Sequence, residues 1–415
     1  MHPTTLAPPA LVAALFAAGL AAAAAPSPAA AADWPRYRGP AGDGRSAETG
    51  LAADWPEGGP PLAWRIALGG GYSGLAVAGG RLYTLLTNGR DELAVCLDAA
   101  DGAVVWRVVI DANRSDDQGD GPRSTPTVDG DTVYVLGASG KLLALAASDG
   151  ATRWRVDLVA ELDARVPRWG VATSPVVEGE LLLVDVGGRP GYSLVAFDKS
   201  TGAVRWHAGD DKAGYSTPLA VTIDGVRQIV SFSGTQVISA AAADGEILWR
   251  HPWETSYDVN AAMPVFLPPN RIFVSSGYGT GAAVLEVSSA GGRHAVREVW
   301  KSRGMKNHFN SSVLVDGFLY GFDDGTLKCI DPGNGEERWA VRGFSKGSLL
   351  YADGLLIILG ERGTLALADA DPERFTERAR FEPFESRTWT MPSLADGRLF
   401  VRDQNELAAF DLRAR

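Results

Sequence analysis

The chain is 415 residues long, 46% hydrophobic and 21% charged, a composition that excludes wholesale disorder and supplies ample apolar material for a large core. A formal net charge of −11, with no dense Lys/Arg block, argues against a general nucleic-acid binder, because neutralising phosphates takes a basic surface. Forty-nine glycines and short runs rich in Val, Leu, Ile and Tyr, without long amphipathic helical patterns, point to an all-β protein.

Residues Leu6 to Ala25 form an Ala/Leu-rich apolar run, and the following APSPAAAADW offers A-x-A cleavage sites before Asp33. This is the pattern of a signal peptide over residues 1–32, and it implies export to the periplasm or the extracellular space. The opening MHPTT carries no Lys or Arg, so an uncleaved anchor stays open as the alternative. No cysteine lies near the cleavage site to take a lipid. An extended segment, 33–61, then leads into residues 62–415, where the sequence repeats.

Five stretches align closely: DAADGAVVWR (98–107), AASDGATRWR (146–155), DKSTGAVRWH (198–207), AAADGEILWR (241–250) and DPGNGEERWA (331–340). Trp300 in AVREVWK is a degenerate sixth copy. Further Asp-Gly-type turns, as in VDGDTVYVLG and ADGLLIILGE, separate alternating apolar runs; such pairs signal hairpins because a type I′ turn needs positive φ at both central residues. Each unit therefore reads as four antiparallel strands. The tryptophans Trp64, Trp106, Trp154, Trp206, Trp249, Trp300 and Trp339 recur about every 46 residues, a blade-sized period.

Innermost strands beginning near Gly74, Pro126, Pro175, Pro218, Pro264, Ser312, Leu349 and Pro392 count eight blades. The C-terminal LFVRDQNELAAFDL lacks a Trp-bearing fourth strand, which PLAWRIAL near the N-terminus supplies. The expected fold is an eight-bladed β-propeller of four-stranded antiparallel blades, closed by pairing of N-terminal and C-terminal strands so that no sheet edge is left open at the seam. One domain and a monomer follow. The seven tryptophans are expected on outer strands, each packed on the next blade's glycine turn with its N–H bonded to backbone, in a structural role. Cys96 and Cys329, far apart on apolar strand patterns, read as buried free thiols, with one long-range disulfide as the alternative.

These LxALDxxTGxxxW units resemble the pyrroloquinoline-quinone (PQQ) repeat of quinoprotein dehydrogenases and of the outer-membrane assembly factor BamB, over roughly residues 62–413. The opening DWPRYRGPAGDGRS resembles the N-terminal segment of secreted bacterial PQQ-like propellers. The resemblance implies the fold, and says little about activity, since one scaffold hosts several functions.

Ligand sites on such scaffolds sit in irregular loops, here the longer connections that lead from each outer strand to the next innermost one. Most end in a Ser/Thr/Pro cluster suited to strand entry beside a crowded axis. Just before or beside those clusters lie Arg123, Trp169, Tyr215, Asn260, Asn307, His308, Lys346 and Trp389, with Asn310, the candidate lining of a pocket at the channel mouth. Asp116, Asp117, Asp120, Asp210 and Asp211 come from early loops and Lys301, Arg303, Lys306, Arg342 and Lys346 from late ones, so one side of the mouth is expected acidic and the other basic.

No catalytic residue stands out. There is no G-x-S-x-G elbow, no glycine-rich phosphate loop and no C-x-x-C-H haem site. Five scattered histidines form no metal-ligand cluster, and DANRSDDQGDGP has Asp116 and Pro122 where a calcium loop needs Gly and Glu. The leading expectation is a secreted or periplasmic, non-catalytic binding or scaffolding module for an envelope or extracellular protein or a small polar ligand. The alternative, implied by the resemblance, is a quinoprotein-like oxidoreductase holding PQQ at the mouth, although the adjacent cysteines of its alcohol-oxidising members are missing. A scaffold at the outer membrane is a third reading, weakened by the absent lipidation cysteine.

Overall fold

The computed structural model describes residues 1, 3 and 32–414. The signal peptide and its anchor alternative therefore fall almost wholly outside the described residues. Among those residues, no helix is long and apolar enough to cross a membrane.

Residues 62–411 form eight four-stranded antiparallel sheets. The first blade comprises Ala76–Ala78, Arg81–Thr87, Asp91–Asp98 and Val104–Ala112, in sequence order from the axis outward. Its middle strands are buried on both faces, and its outer strand alternates buried with exposed residues because one side faces solvent. Six more blades repeat this order. The eighth takes Ser393–Ala395, Arg398–Arg402 and Glu406–Asp411 from the C-terminus and Leu62–Ala67 from the other end of the chain, with Trp64 opposite Ala409. The ring is closed by the two ends of the sequence.

Apolar residues of adjacent sheets interleave between blades. Tyr134, Leu142 and Ala144 of the second blade pack against Leu182, Val184 and Phe197 of the third. Each such fully buried aliphatic or phenyl side chain contributes about 1.5–3 kcal/mol. Hydroxyls of the strand-entry clusters join blades close to the axis: Thr125 N–H donates to Ser174 Oγ, Ser174 N–H to Thr217 Oγ1, and Met263 N–H to Ser311 Oγ, at 2.8–3.0 Å.

The outer strands carry the tryptophan girdle. Trp64, Trp106, Trp154, Trp206, Trp300 and Trp339 each donate Nε1–H to a turn carbonyl of the following blade, respectively Ala99, Ala147, Lys199, Ala242, Pro332 and Asp371, at 2.8–3.1 Å. The turn glycine fits under the indole because it has no Cβ. On Gly202, at φ 75°, a Cβ would lie 2.7 Å from Trp154 Cε3.

Two blades depart from the pattern. Trp249 bonds Gln228 Oε1 of its own sheet at 2.9 Å, because the next blade has no compact turn there: its outer strands, Gly281–Ala290 and Arg293–Ser302, run on into a long hairpin. In the seventh blade Ala379 takes the tryptophan's register, opposite Leu367. The blade that follows is the closing one, whose outer strand comes from the N-terminus and presents no turn.

The segment before the first strand crosses the channel end opposite the long loops. Its residues bond the innermost turns of three blades: Gly79 N–H donates to Asp33 Oδ1, Leu51 N–H to Asp353 Oδ2, and Gly397 N–H to Glu48 Oε2. Arg38, fully buried, donates to the carbonyls of Gly42, Asp43 and Ser312, and burial holds its guanidinium below the usual arginine range. Cys96 and Cys329 are buried free thiols in the first and sixth blades, pushed up to about 11 and about 12 by desolvation.

Candidate functional site

The long loops enclose a cavity of about 170 Å³ at the channel mouth. Its lining includes Tyr37, delivered by the N-terminal segment that crosses the opposite end of the propeller. Arg123, Trp169, Tyr215, His308, Asn310 and Trp389 line the cavity.

Asn260, Asn307 and Lys346 do not. Asn260 and Asn307 are buried within the wall. Asn260 Nδ2 donates to the carbonyls of Ser233 and Gly234, while Asn307 Nδ2 donates to Phe322 O. Their amides satisfy main-chain groups where irregular loops leave carbonyls without a ladder partner. Lys346 is near enough for its charge to disfavour protonation of His308.

Aromatic rings make the site, and they are held from both sides. Arg123 lies 5.4 Å over Tyr72, Arg168 5.2 Å over Trp169 and Arg387 4.3 Å over Trp389. Trp169 Nε1–H donates to Asp117 at 2.5 Å and Trp389 Nε1–H to Glu361 at 2.9 Å. The Tyr215 hydroxyl accepts from Trp169 N–H at 3.3 Å, and burial pushes that phenol up to about 12. Phe309 packs 5.0 Å from Trp389. Rings fixed by stacking and by their own N–H bonds lose little rotamer freedom when something lands on them.

Two rim tyrosines are strained. Tyr257 and Tyr278 adopt φ of 60° and 53°, a left-handed backbone costly for a bulky side chain by about 1–2 kcal/mol. They remain 59% and 40% exposed and meet edge to face at 5.9 Å. The strained backbone sets Tyr257 5.7 Å from Trp169 and leaves both tyrosine rings partly open to solvent at the mouth.

His308 stacks on Tyr278 at 5.0 Å, with Nδ1 buried and unpartnered. Burial, with Lys346 nearby, pulls its pKa down to about 4, so the ring is neutral at physiological pH and a weak base.

Charge is distributed otherwise than the loop sequences suggest. Asp116 pairs with Arg123 at 2.8 Å, Asp117 with Arg168 at 3.3 Å, and Asp211 accepts from Ser233 and Thr235. On the basic side, Lys306 pairs with Asp323 and Asp324. Local pairing therefore neutralises most of the expected two-sided field. Lys301, Arg303, Arg342 and Lys346 make no ion pair among the described residues, and of these Lys301 and Arg303 sit together beside Tyr278.

The loop sequences did not single out Tyr37, Tyr72, Tyr278 or Phe309. Phe309 adjoins His308 and could have been included. Tyr278 comes from a short loop between the second and third strands of its blade, and nothing in the sequence signals that Tyr37 reaches the mouth.

The quinone implied by the repeat bears carboxylates, and its fit can be tested on the lining. Arg123 is the one guanidinium there, and it already donates to Asp116, Gly119 O and Gly121 O. No carboxylate or cysteine lines the cavity among the described residues. The donor set does not fit that cofactor. Among the described residues no lining hydroxyl is hydrogen-bonded to His308, and the aromatic lining suits a ring-sized group.

The family described as the outer membrane protein assembly factor BamB matches residues 53–116, 90–341 and 323–414. Among solved structures, BamB from Moraxella catarrhalis is 14% identical, with TM-score 0.60 over 85% of this chain and 99% of that one. The quinohemoprotein alcohol dehydrogenase from Comamonas testosteroni is 13% identical, with TM-score 0.64 over 92% and 81%. The computationally designed Ika8 protein is 13% identical, with TM-score 0.59 over 85% and 99%. Identities this low establish a shared fold alone. No curated protein sequence matches the chain.

Proposed function

This chain belongs to the family of the outer membrane protein assembly factor BamB, and from that premise we propose that it is an exported, monomeric, non-catalytic binding module that captures its ligand at the propeller mouth. The observation that carries the reading is the preorganised aromatic lining of the mouth, built around Trp169 and Trp389 without an acid–base or nucleophile pair. Export rests on the Ala/Leu-rich run before Asp33.

The test compares capture from envelope extract by the native protein, a Trp169→Ala/Trp389→Ala variant and an Arg155→Ala control on an exposed outer strand. Capture is expected to fall by about tenfold or more in the mouth variant, with unchanged melting, and to persist in the control. Equal capture by the mouth variant, or turnover in a dye-linked oxidation assay with PQQ and calcium, would sink the proposal.

A further inference from the structure

We infer that the mouth takes an acidic polypeptide segment, which inserts one aromatic side chain into the cavity and lays neighbouring carboxylates on Lys301 and Arg303. This rests on the binding-module reading and names its ligand class.

Size comes first. A cavity of about 170 Å³ admits one ring-sized group, so the rest of the ligand lies outside it. Tyr278 is shared with an adjoining open depression of about 530 Å³ whose wall includes Lys301 and Arg303. A chain whose ring sits in the cavity crosses Tyr278 directly onto those two cations.

Charge comes second. Lys301 lies 4.4 Å over the Trp253 ring, and neither it nor Arg303 is ion-paired among the described residues. Among the described residues Glu254 is the one acid lining that depression, so the local balance is positive on a chain of net charge −11. Unpaired cations beside neutralised surroundings set a preference for an anionic segment.

Hydrogen-bond satisfaction decides between a peptide ring and a sugar ring. Trp169 and Trp389 already use their indole N–H groups, and the Tyr72 hydroxyl donates to Gln118 O. A sugar would find no free indole N–H there and, beyond the unpartnered His308 Nδ1, few partners to replace the water its hydroxyls give up. A phenyl ring gives up nothing and stacks on the indoles. Tyr257 and Tyr278, held exposed in left-handed backbone, frame the entrance where the chain would cross.

The test is fluorescence anisotropy of the full chain with a labelled five-residue peptide, one phenylalanine flanked on each side by two glutamates. Replacing the phenylalanine with alanine, or the glutamates with lysines, should weaken binding about tenfold. Lys301→Glu/Arg303→Glu should weaken the acidic peptide by a similar factor and improve the lysine peptide, with melting unchanged because both side chains are exposed. Tyr278→Ala should weaken both. Raising salt from about 50 to about 300 mM should weaken the acidic peptide.

Indifference to the phenylalanine or to the charge reversal would overturn the inference. So would tight binding of an oligouronate with the acidic peptide inert, a result that points to an acidic polysaccharide. If the peptide fails while Trp169/Trp389-dependent capture from extract persists, this inference falls and the binding-module reading stands.

Discussion

Glu92 is wholly buried where the first blade meets the second. Its Oε2 accepts Ala138 N–H at 2.9 Å, its Oε1 has no partner, and the half-buried Asp111 carboxyl is close by. Burial pushes the Glu92 carboxyl up to about 7 from an ordinary 4.5, with Asp111 adding to the shift. The folded state therefore holds this proton more tightly than the unfolded chain does. Its stabilising contribution is complete below about 4.5, is lost as pH rises through about 7, and then levels off, a change on the order of 3 kcal/mol. Glu92→Gln mimics the protonated acid and should flatten that slope in urea melts at pH 5 and pH 8, within about a unit of those values. An unchanged slope in the variant would place the titration elsewhere. None of this was legible in the sequence, where Glu92 is one acid among many on a strand.

At the scale of elements, the N-terminal segment is the part whose role the sequence conceals most. DWPRYRGPAGDGRS and the residues that follow it to Leu51 read as an extended segment, yet they tie the innermost turns of three blades together and supply Tyr37 to the lining of the mouth. Arg38 is its anchor, since three main-chain carbonyls depend on one guanidinium. Arg38→Ala should cost about 3 kcal/mol by leaving those acceptors buried without donors, and calorimetry would register it as a lowered melting temperature. A loss below about 0.5 kcal/mol would mean that water replaces the side chain. The strand hairpins were readable in advance because each depends on a local Asp-Gly turn and alternating burial. The departures at Trp249 and Ala379 depend on what the next blade offers, which lies outside the strand that carries them.

For the whole molecule, the propeller separates the work of holding from the work of binding. Six girdle tryptophans dock on turns at one end of the propeller, and the aromatic lining gathers at the other, around the axis. Trp206→Ala should therefore cost about 3 kcal/mol or more in stability while mouth binding at low temperature stays intact. The Trp169→Ala/Trp389→Ala variant should do the reverse. Loss of both properties in either variant would show the two ends to be coupled through the blades.

Blade number and most of the tryptophan girdle were legible in short patterns repeated at a near-constant period, and seven recurring tryptophans make such a signal hard to misread. Which loop residues face the mouth is a different kind of property. Asn260 and Asn307 turned inward because irregular loops leave carbonyls that need donors, and Tyr37 and Tyr278 arrived from segments distant in sequence because a ring brings every innermost strand to one axis. Convergence on that axis obeys no period, so only the folded chain decides it.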